Sequence, residues 1–189
     1  MKHPYLSECI TRIERVSQEA REIFGGLNEE QLNWKPNPDD WSIGQCLDHL
    51  MVSNSQYFPI FDDILRGKKT ARFWEKVPVL PGMWGGMLVK ALSPHNRRRS
   101  KTMNVFEPRE SDIPTTIVSD FETHNQKLVN YFERLDSIDN HRKIIITSPV
   151  SNLITYSLRN TFRILTNHEE RHLLQAKRVM ELPEFPYFE

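Results

Sequence analysis

The sequence predicts an all-α fold, a four-helix bundle of the up-down-down-up type with a long crossover between its second and third helices. Three observations support this class. Apolar residues recur every three to four positions over four long stretches, which is the spacing of a buried helical stripe. Strand-like alternation is almost absent. The 189 residues suffice for one domain with a proper core, so we expect a single domain over residues 1–189.

The first and third predicted helices have the clearest apolar faces. The first spans residues 6–24 and stops at Gly25-Gly26, as helices commonly do at glycine. The third spans residues 115–136 and carries His124 on its apolar stripe. The stripe of the third helix consists of Ile117, Phe121, Leu128, Phe132 and Leu135.

The second predicted helix covers residues 42–66. Ser42 followed three residues later by Gln45 is a capping-box pattern, which places the start of the helix at Ser42. Trp41, directly before it, is interpreted as an apolar plug over the end of the bundle. Pro59 lies inside the pattern and is expected to kink the helix, because proline has no N–H to donate.

Residues 68–114 lose the helical periodicity, apart from a short predicted helix around residues 84–92. A basic patch, HNRRRSK, occupies residues 95–101. Two interpretations stay open for this segment: a solvated loop, or a lid that meets an anionic substrate. Loops of this length in a compact domain are usually functional or disordered.

The fourth predicted helix covers residues 152–182 and is capped by Ser151 or Asn152. A brief extended piece is expected before it, at residues 144–146. This helix carries the sequence NHEERHLLQAK, in which His168 and His172 are one turn apart and project from the same face.

The pattern HEERH matches H-E-x-x-H, the zinc-protease signature, in which Glu169 would be the general base. The longer metzincin form needs a glycine and a histidine where this chain has Gln175 and Arg178. Two interpretations therefore remain for His168 and His172 on this pattern alone. They bind a metal, or they are helical histidines hydrogen-bonded to neighbours, since buried polar groups are costly when unsatisfied.

Composition excludes several classes of protein. Lys plus Arg and Asp plus Glu are 25 each, so the formal net charge is zero, which argues against a general nucleic-acid binder. No run approaches the ~18 apolar residues that span a bilayer. Cys9 and Cys46 are too few for a disulfide framework. We predict a protein of the reducing cytoplasm without a membrane partner.

Two segments, LNWKPNPDDWSIGQCLDHLMVSN and SPVSNLITYSLRNTFRILTNHEERHLLQAKRV, agree with one known pattern. The matching features are Trp41-Ser42 at the start of a helix, His49 in the setting D-H-L, and H-x-x-x-H followed by Gln175. In these features, and over most of its length, the chain resembles the DinB-like / YfiT-like superfamily of metal-binding four-helix bundles.

The resemblance implies one divalent metal ion, zinc or nickel, held by His49, His168 and His172. Three neutral imidazoles with open positions form a catalytic type of site. The resemblance also implies a homodimer. The activity it implies is transfer of a low-molecular-weight thiol to an electrophile, or hydrolysis, with a small-molecule substrate that includes a cellular thiol in the first case.

Further residues have both a functional and a structural interpretation. Glu169 is a catalytic base or second-shell group, or else a solvated ion-pair former. His124 lines the pocket or becomes a fourth ligand, or it is a hydrogen-bonded core histidine. Cys46 coordinates the metal, or it is a buried inert thiol.

Four more residues lie where they could support or enclose the site. Gln45 and Gln175 are each within a turn of a predicted ligand and are second-shell candidates. Tyr57 and Trp84 are candidate walls of a substrate cavity, although aromatic residues at helical spacing are usually core.

Two alternative functions are kept. The first is a non-enzymatic bundle that binds a metal or small ligand, in which His124 or Cys46 closes the coordination of a structural metal. The second is a zincin-type peptidase, which requires a β-sheet beside the HEERH helix.

Overall fold

A computed structural model of the chain describes residues 2–77, 80–94 and 112–187. It is mostly helical with one two-stranded sheet, so the all-α prediction is confirmed in this coarse form. Within the described ranges, no helix combines the length and the apolar character that crossing a bilayer would require. The elements are α1 (Pro4–Phe24), α2 (Glu29–Asn33), α3 (Ile43–Ser55), α4 (Phe58–Leu65), α5 (Leu80–Ala91), α6 (Ile117–Leu135), β1 (Ile145–Ser148), β2 (Ser151–Ser157) and α7 (Leu158–Met180).

The predicted helix over residues 42–66 is divided into α3 and α4. The capping box at its start is present, because the Ser42 hydroxyl accepts from the Gln45 N–H at 3.1 Å and the Gln45 side chain accepts from the Ser42 N–H at 3.2 Å. The division falls at residues 56–57, just before Pro59. A proline there cannot donate to the carbonyl four residues earlier, so the helix breaks instead of merely bending.

The last helix begins at Leu158, six residues later than predicted. Residues 151–157 form β2, which pairs antiparallel with β1, so the prediction of helix over residues 152–157 is wrong. Side chains that favour strands occupy this stretch, including Ile154, Thr155 and Tyr156, and pairing with β1 satisfies their backbone groups. Ser157 is the N-cap, accepting from the Asn160 N–H at 3.2 Å. The predicted extended piece at residues 144–146 is confirmed in part by β1.

The segment over residues 68–114 contains more regular structure than predicted. A 3₁₀ turn covers Phe73–Lys76, and α5 begins at Leu80 instead of about residue 84. A Cβ at Gly85 would lie 2.2 Å from Asn160 Nδ2, so glycine at this position allows α5 to pack closely on β2 and α7. The basic patch of residues 95–101 lies outside the described residues, and the lid stays a prediction.

The core consists of two hydrophobic clusters with a polar layer between them. The first cluster includes Phe61, Phe132 and Phe162, and the second includes Leu47 and Phe121. Helices α1 and α7 run from the first cluster to the second, whereas α6, and α3 continued by α4, run from the second to the first. The up-down-down-up four-helix bundle stays a prediction. Between the clusters, each of these helices contributes one polar residue: Ser17, Asn54, Asn125 and Glu169.

Candidate metal centre

The side chains of His49, His168 and His172 converge where α3 packs against α7. The Nε2 atom of His168 lies 3.1 Å from Nε2 of His49 and 3.0 Å from Nε2 of His172. One ligand nitrogen from each residue lies within 4.8 Å of the other two. The one-turn spacing on α7 places two of the rings on the same face, and the packing of α3 supplies the third.

Hydrogen bonds among the three imidazoles cannot satisfy this arrangement. A neutral imidazole nitrogen either donates one hydrogen or accepts with one in-plane lone pair. Because Nε2 of His168 faces two nitrogens, it can form a good hydrogen bond with only one of them. A cation that accepts a lone pair from each ring would satisfy all three at once.

The distances between the nitrogens suit a shared metal ion. Two nitrogens each ~2.05 Å from a metal are about 2.9 Å apart at a right angle and about 3.4 Å apart at a tetrahedral angle. The observed 3.0 and 3.1 Å fall within this interval. The three residues present therefore fit a metal ion in both number and spacing.

Burial keeps His168 and His172 neutral, which metal ligation requires. His49 and His172 are buried and His168 is partly exposed. The pKa of His168 is well below its ordinary value because of burial first, then His49 and Arg171. The pKa of His172 is likewise well below its ordinary value because of burial first, then His168, His49 and Arg171. Their lone pairs are therefore available at neutral pH.

Trp41 covers the cluster and was not predicted as a site residue. Its ring stacks on His172 with 5.5 Å between ring centroids and lies 4.6 Å from the ring of His49. Ser53, one turn after His49, places its Oγ 3.5 Å from Nε2 of that histidine. The sequence signal for Trp41 was its position directly before the cap of the helix that carries His49.

Glu169 is buried and points into the polar layer of the core. Its carboxylate accepts from Asn54 Nδ2 at 2.6 Å and from Asn125 Nδ2 at 3.1 Å. Burial raises its pKa to about 7, against the lowering by the two amides. The prediction of a solvated ion pair is wrong for Glu169 and fits Glu170, which pairs with Arg12 at 2.6 Å. A catalytic role for Glu169 stays a prediction.

His124 and Cys46 do not belong to the group of converging ligand atoms found among the described residues. The ring of His124 lies 5.2 Å from that of Phe58, and burial, together with Lys127, lowers its pKa to about 4. Cys46 is fully buried in the second hydrophobic cluster, where burial raises its pKa to about 12. Among the described residues, the cluster therefore consists of three histidines, and Cys46 is a neutral core thiol.

The remaining predicted residues are distributed around the site. Gln45 is buried and its side chain forms part of the α3 cap. The side chain of Gln175 raises the pKa of His172, against the larger lowering caused by burial. Tyr57 lies in the core with its hydroxyl 2.6 Å from that of Tyr156, and Trp84 is half-buried on α5. Roles for these residues around the metal or substrate stay predictions.

The segment that ends α5 lies beside the cluster. Asn167, the neighbour of His168, donates from Nδ2 to the Val89 carbonyl at 3.0 Å, and Arg171 donates to the Ala91 carbonyl at 3.4 Å. Two cavities of about 330 and 360 Å³ lie elsewhere, since none of the three histidines lines either one. Of the three histidines, only His168 is partly exposed to solvent.

Comparison with known proteins agrees with this site. The uncharacterized protein YuaE of Bacillus subtilis (strain 168) is 25% identical over 157 residues, which cover 82% of this chain and 87% of that protein. No solved structure matches the chain at a comparable level of significance. The family model described as the DinB superfamily matches residues 12–176. Because this match spans most of the sequence, including all three histidines, the chain belongs to the DinB superfamily.

Proposed function

We propose that this DinB-superfamily protein is a divalent-metal-dependent enzyme that holds one ion through the Nε2 atoms of His49, His168 and His172. The observation that supports it is the convergence of three imidazole nitrogens, among which Nε2 of His168 faces the other two and can form a good hydrogen bond with only one. Imidazole suits several transition metals, and our proposal is zinc or nickel. A metal with such ligands lowers the pKa of a bound water or thiol toward neutrality.

The proposed reaction is transfer of a low-molecular-weight thiol to an electrophile, with hydrolysis as the alternative within the same site. In either case the residues of the chain fix the three imidazoles and limit access to them. Trp41 packs on His49 and His172 and excludes water from that side. His168 is the partly exposed member of the three, so we propose that the substrate approaches beside it.

The coordination favours an enzyme over a structural metal site. Structural zinc sites are usually closed by four protein ligands, whereas catalytic sites keep a position for water or substrate. The two predicted candidates for a fourth ligand lie elsewhere, His124 against Phe58 and Cys46 in the apolar core. With three histidine ligands among the described residues, the proposed ion would keep a position for water or substrate.

No observation favours the peptidase. The base of such an enzyme must reach the metal-bound water, but the Glu169 carboxylate is engaged by Asn54 and Asn125. Among the described residues, the sheet is a single two-stranded hairpin formed by β1 and β2.

The test is a turnover screen of protein loaded with zinc or with nickel. Cysteine, glutathione and coenzyme A would each be offered with a chromogenic electrophile, and an activated ester would test hydrolysis. We expect metal-dependent turnover with at least one combination in the wild type. The His168→Ala variant should show none, and the surface variant Arg134→Gln should match the wild type. Equal turnover in the wild type and His168→Ala would refute the proposed site.

A homodimer and a cytoplasmic location follow from the resemblance and remain proposals. Sedimentation of the metal-loaded protein tests the dimer, because a constant mass of one chain at high concentration would contradict it.

A further inference from the structure

A second concentration of charged side chains lies away from the histidines, at the N-terminal end of α7. Arg142, Arg159 and Arg163 line a cavity of about 330 Å³, together with Ser157 and Asn160. We call this the arginine cavity. The chain as a whole has a formal net charge of zero, so three positive charges around one cavity are a local excess.

Among the residues that the structure describes, no ion pair neutralises this excess. In the part of the chain that the structure describes, none of the three guanidiniums forms an ion pair, and the buried Nε of Arg159 has no hydrogen-bond partner. Two arginines elsewhere do form ion pairs, Arg12 with Glu170 and Arg21 with Glu122. Buried polar groups are normally hydrogen-bonded, so an unpaired donor beside a cavity points to a ligand.

The central arginine is held in place by packing. The guanidinium of Arg159 lies over the ring of Tyr5, 4.7 Å from its centroid, which restricts its conformations. Burial raises the pKa of Tyr5 to about 12, so the phenol is neutral and supplies no negative charge. A preorganised donor loses less conformational entropy when it binds a ligand.

Two helix ends add donors and a favourable field. Ser157 is the N-cap of α7, and its hydroxyl accepts from the Asn160 N–H, which leaves its own hydrogen free to donate. The first turn of α5 lines the other side through Pro81 and Gly82. A Cβ at Gly82 would meet nothing within 4 Å, so the cavity is open there. Positive helix ends favour anions.

We propose that the arginine cavity binds the anionic part of a small organic molecule, either a phosphate or a closely spaced pair of carboxylates. The planar guanidinium fork pairs with both kinds of oxyanion. The cavity volume is at the lower end of the range for small-molecule sites, so the ligand is more than a single inorganic ion.

The test is calorimetric titration of the full chain with pyrophosphate and, separately, with citrate. Arg142 and Arg163 are exposed, so replacing them should leave the fold intact, as circular dichroism would verify. Each lost charge-assisted hydrogen bond should weaken binding about tenfold, so Arg142→Gln/Arg163→Gln should bind about a hundredfold more weakly. The matched control is Arg134→Gln, which removes an arginine on α6 that does not line the cavity and should bind as the wild type does.

A second variant separates this site from the metal centre, since both anions can also bind a metal. His168→Ala should bind pyrophosphate or citrate with unchanged affinity, because the histidines do not line the arginine cavity. Stronger binding of pyrophosphate would identify a phosphate ligand, and stronger binding of citrate a carboxylate ligand. Loss of binding in His168→Ala, unchanged binding in the double arginine variant, or no binding of either anion by the wild type would overturn the proposal.

Discussion

The histidine cluster and the Glu169 network are neighbouring polar groups that the fold treats differently. Helices α3 and α7 contribute to both, α6 adds Asn125 to the second, and His168 and Glu169 are adjacent in sequence. The carboxylate of Glu169 faces two amide donors, Asn54 and Asn125, and is satisfied by them. In contrast, Nε2 of His168 faces two further imidazole nitrogens, and at most one of these contacts is a good hydrogen bond.

This difference separates a structural polar group from a ligand site. A buried acceptor that meets donors from the chain needs nothing else and stabilises the packing of the helices. Several lone pairs directed at one point compete for the same hydrogen, whereas one cation can accept all of them. The contrast explains why the two histidines of HEERH are the proposed metal ligands while its glutamate belongs to the core.

Removing a histidine should have the largest effect. We expect each of His49→Ala, His168→Ala and His172→Ala to weaken metal binding by at least about a thousandfold, since even outer partners of metal ligands contribute 10–100-fold. Elemental analysis after gel filtration measures the metal content. Glu169→Gln is the control on the same helix and should retain one ion per chain. Retention of the ion by all three histidine variants would remove the distinction between the two groups.

Truncating the glutamate should damage stability instead of binding. Glu169→Ala leaves two buried amide donors without an acceptor and a small cavity, so we expect a loss of about 3 kcal/mol in the free energy of unfolding. Urea unfolding of the metal-free protein measures it. Molecules that remain folded should still bind metal. A loss below about 0.5 kcal/mol would mean that the network contributes little.

The pH dependence of stability tests whether the buried Glu169 carboxyl, unlike the histidine cluster, contributes to the stability of the fold. The pKa of Glu169 rises from an ordinary 4.5 to about 7 on folding, so the folded state binds more protons between these values. Its contribution is therefore fully present below pH 4.5 and is lost as pH rises through 7. Relative to Glu169→Gln, the metal-free wild type should lose about 2 kcal/mol between pH 5 and 8. Parallel stability curves for the two proteins would show that the carboxyl does not titrate in this range.

The smallest effect is expected at His124. Its buried Nε2 has no hydrogen-bond partner in the described structure, and its ring packs on Phe58. His124→Phe keeps the aromatic contact and removes the unsatisfied atom, so we expect a gain of about 1 kcal/mol near pH 7. The gain should grow as pH falls from 6.5 toward 4, because the unfolded histidine takes up a proton first. Thermal unfolding measures this, and metal content should be unchanged; loss of the ion would restore His124 as a ligand.

Local patterns in the sequence predicted the position of several helices. The apolar stripes predicted α1 and α6 to within about two residues, and the capping box placed the start of α3. These features depend on residues three or four apart, which interact within one helix. The pairing of β2 with β1 was missed because a strand depends on a partner elsewhere in the chain. The early start of α5 also depends on its contact with β2 and α7 through Gly85.

The sequence by itself determined that His168 and His172 share a helical face, since one turn of helix fixes that geometry. Only the tertiary structure decided that His49 joins them, that Trp41 covers the cluster, and that Glu169 points into the core. The physical reason is that helix periodicity fixes relative directions on one helix. The crossing of α3 and α7 determines which faces meet, and with them which buried atoms find partners.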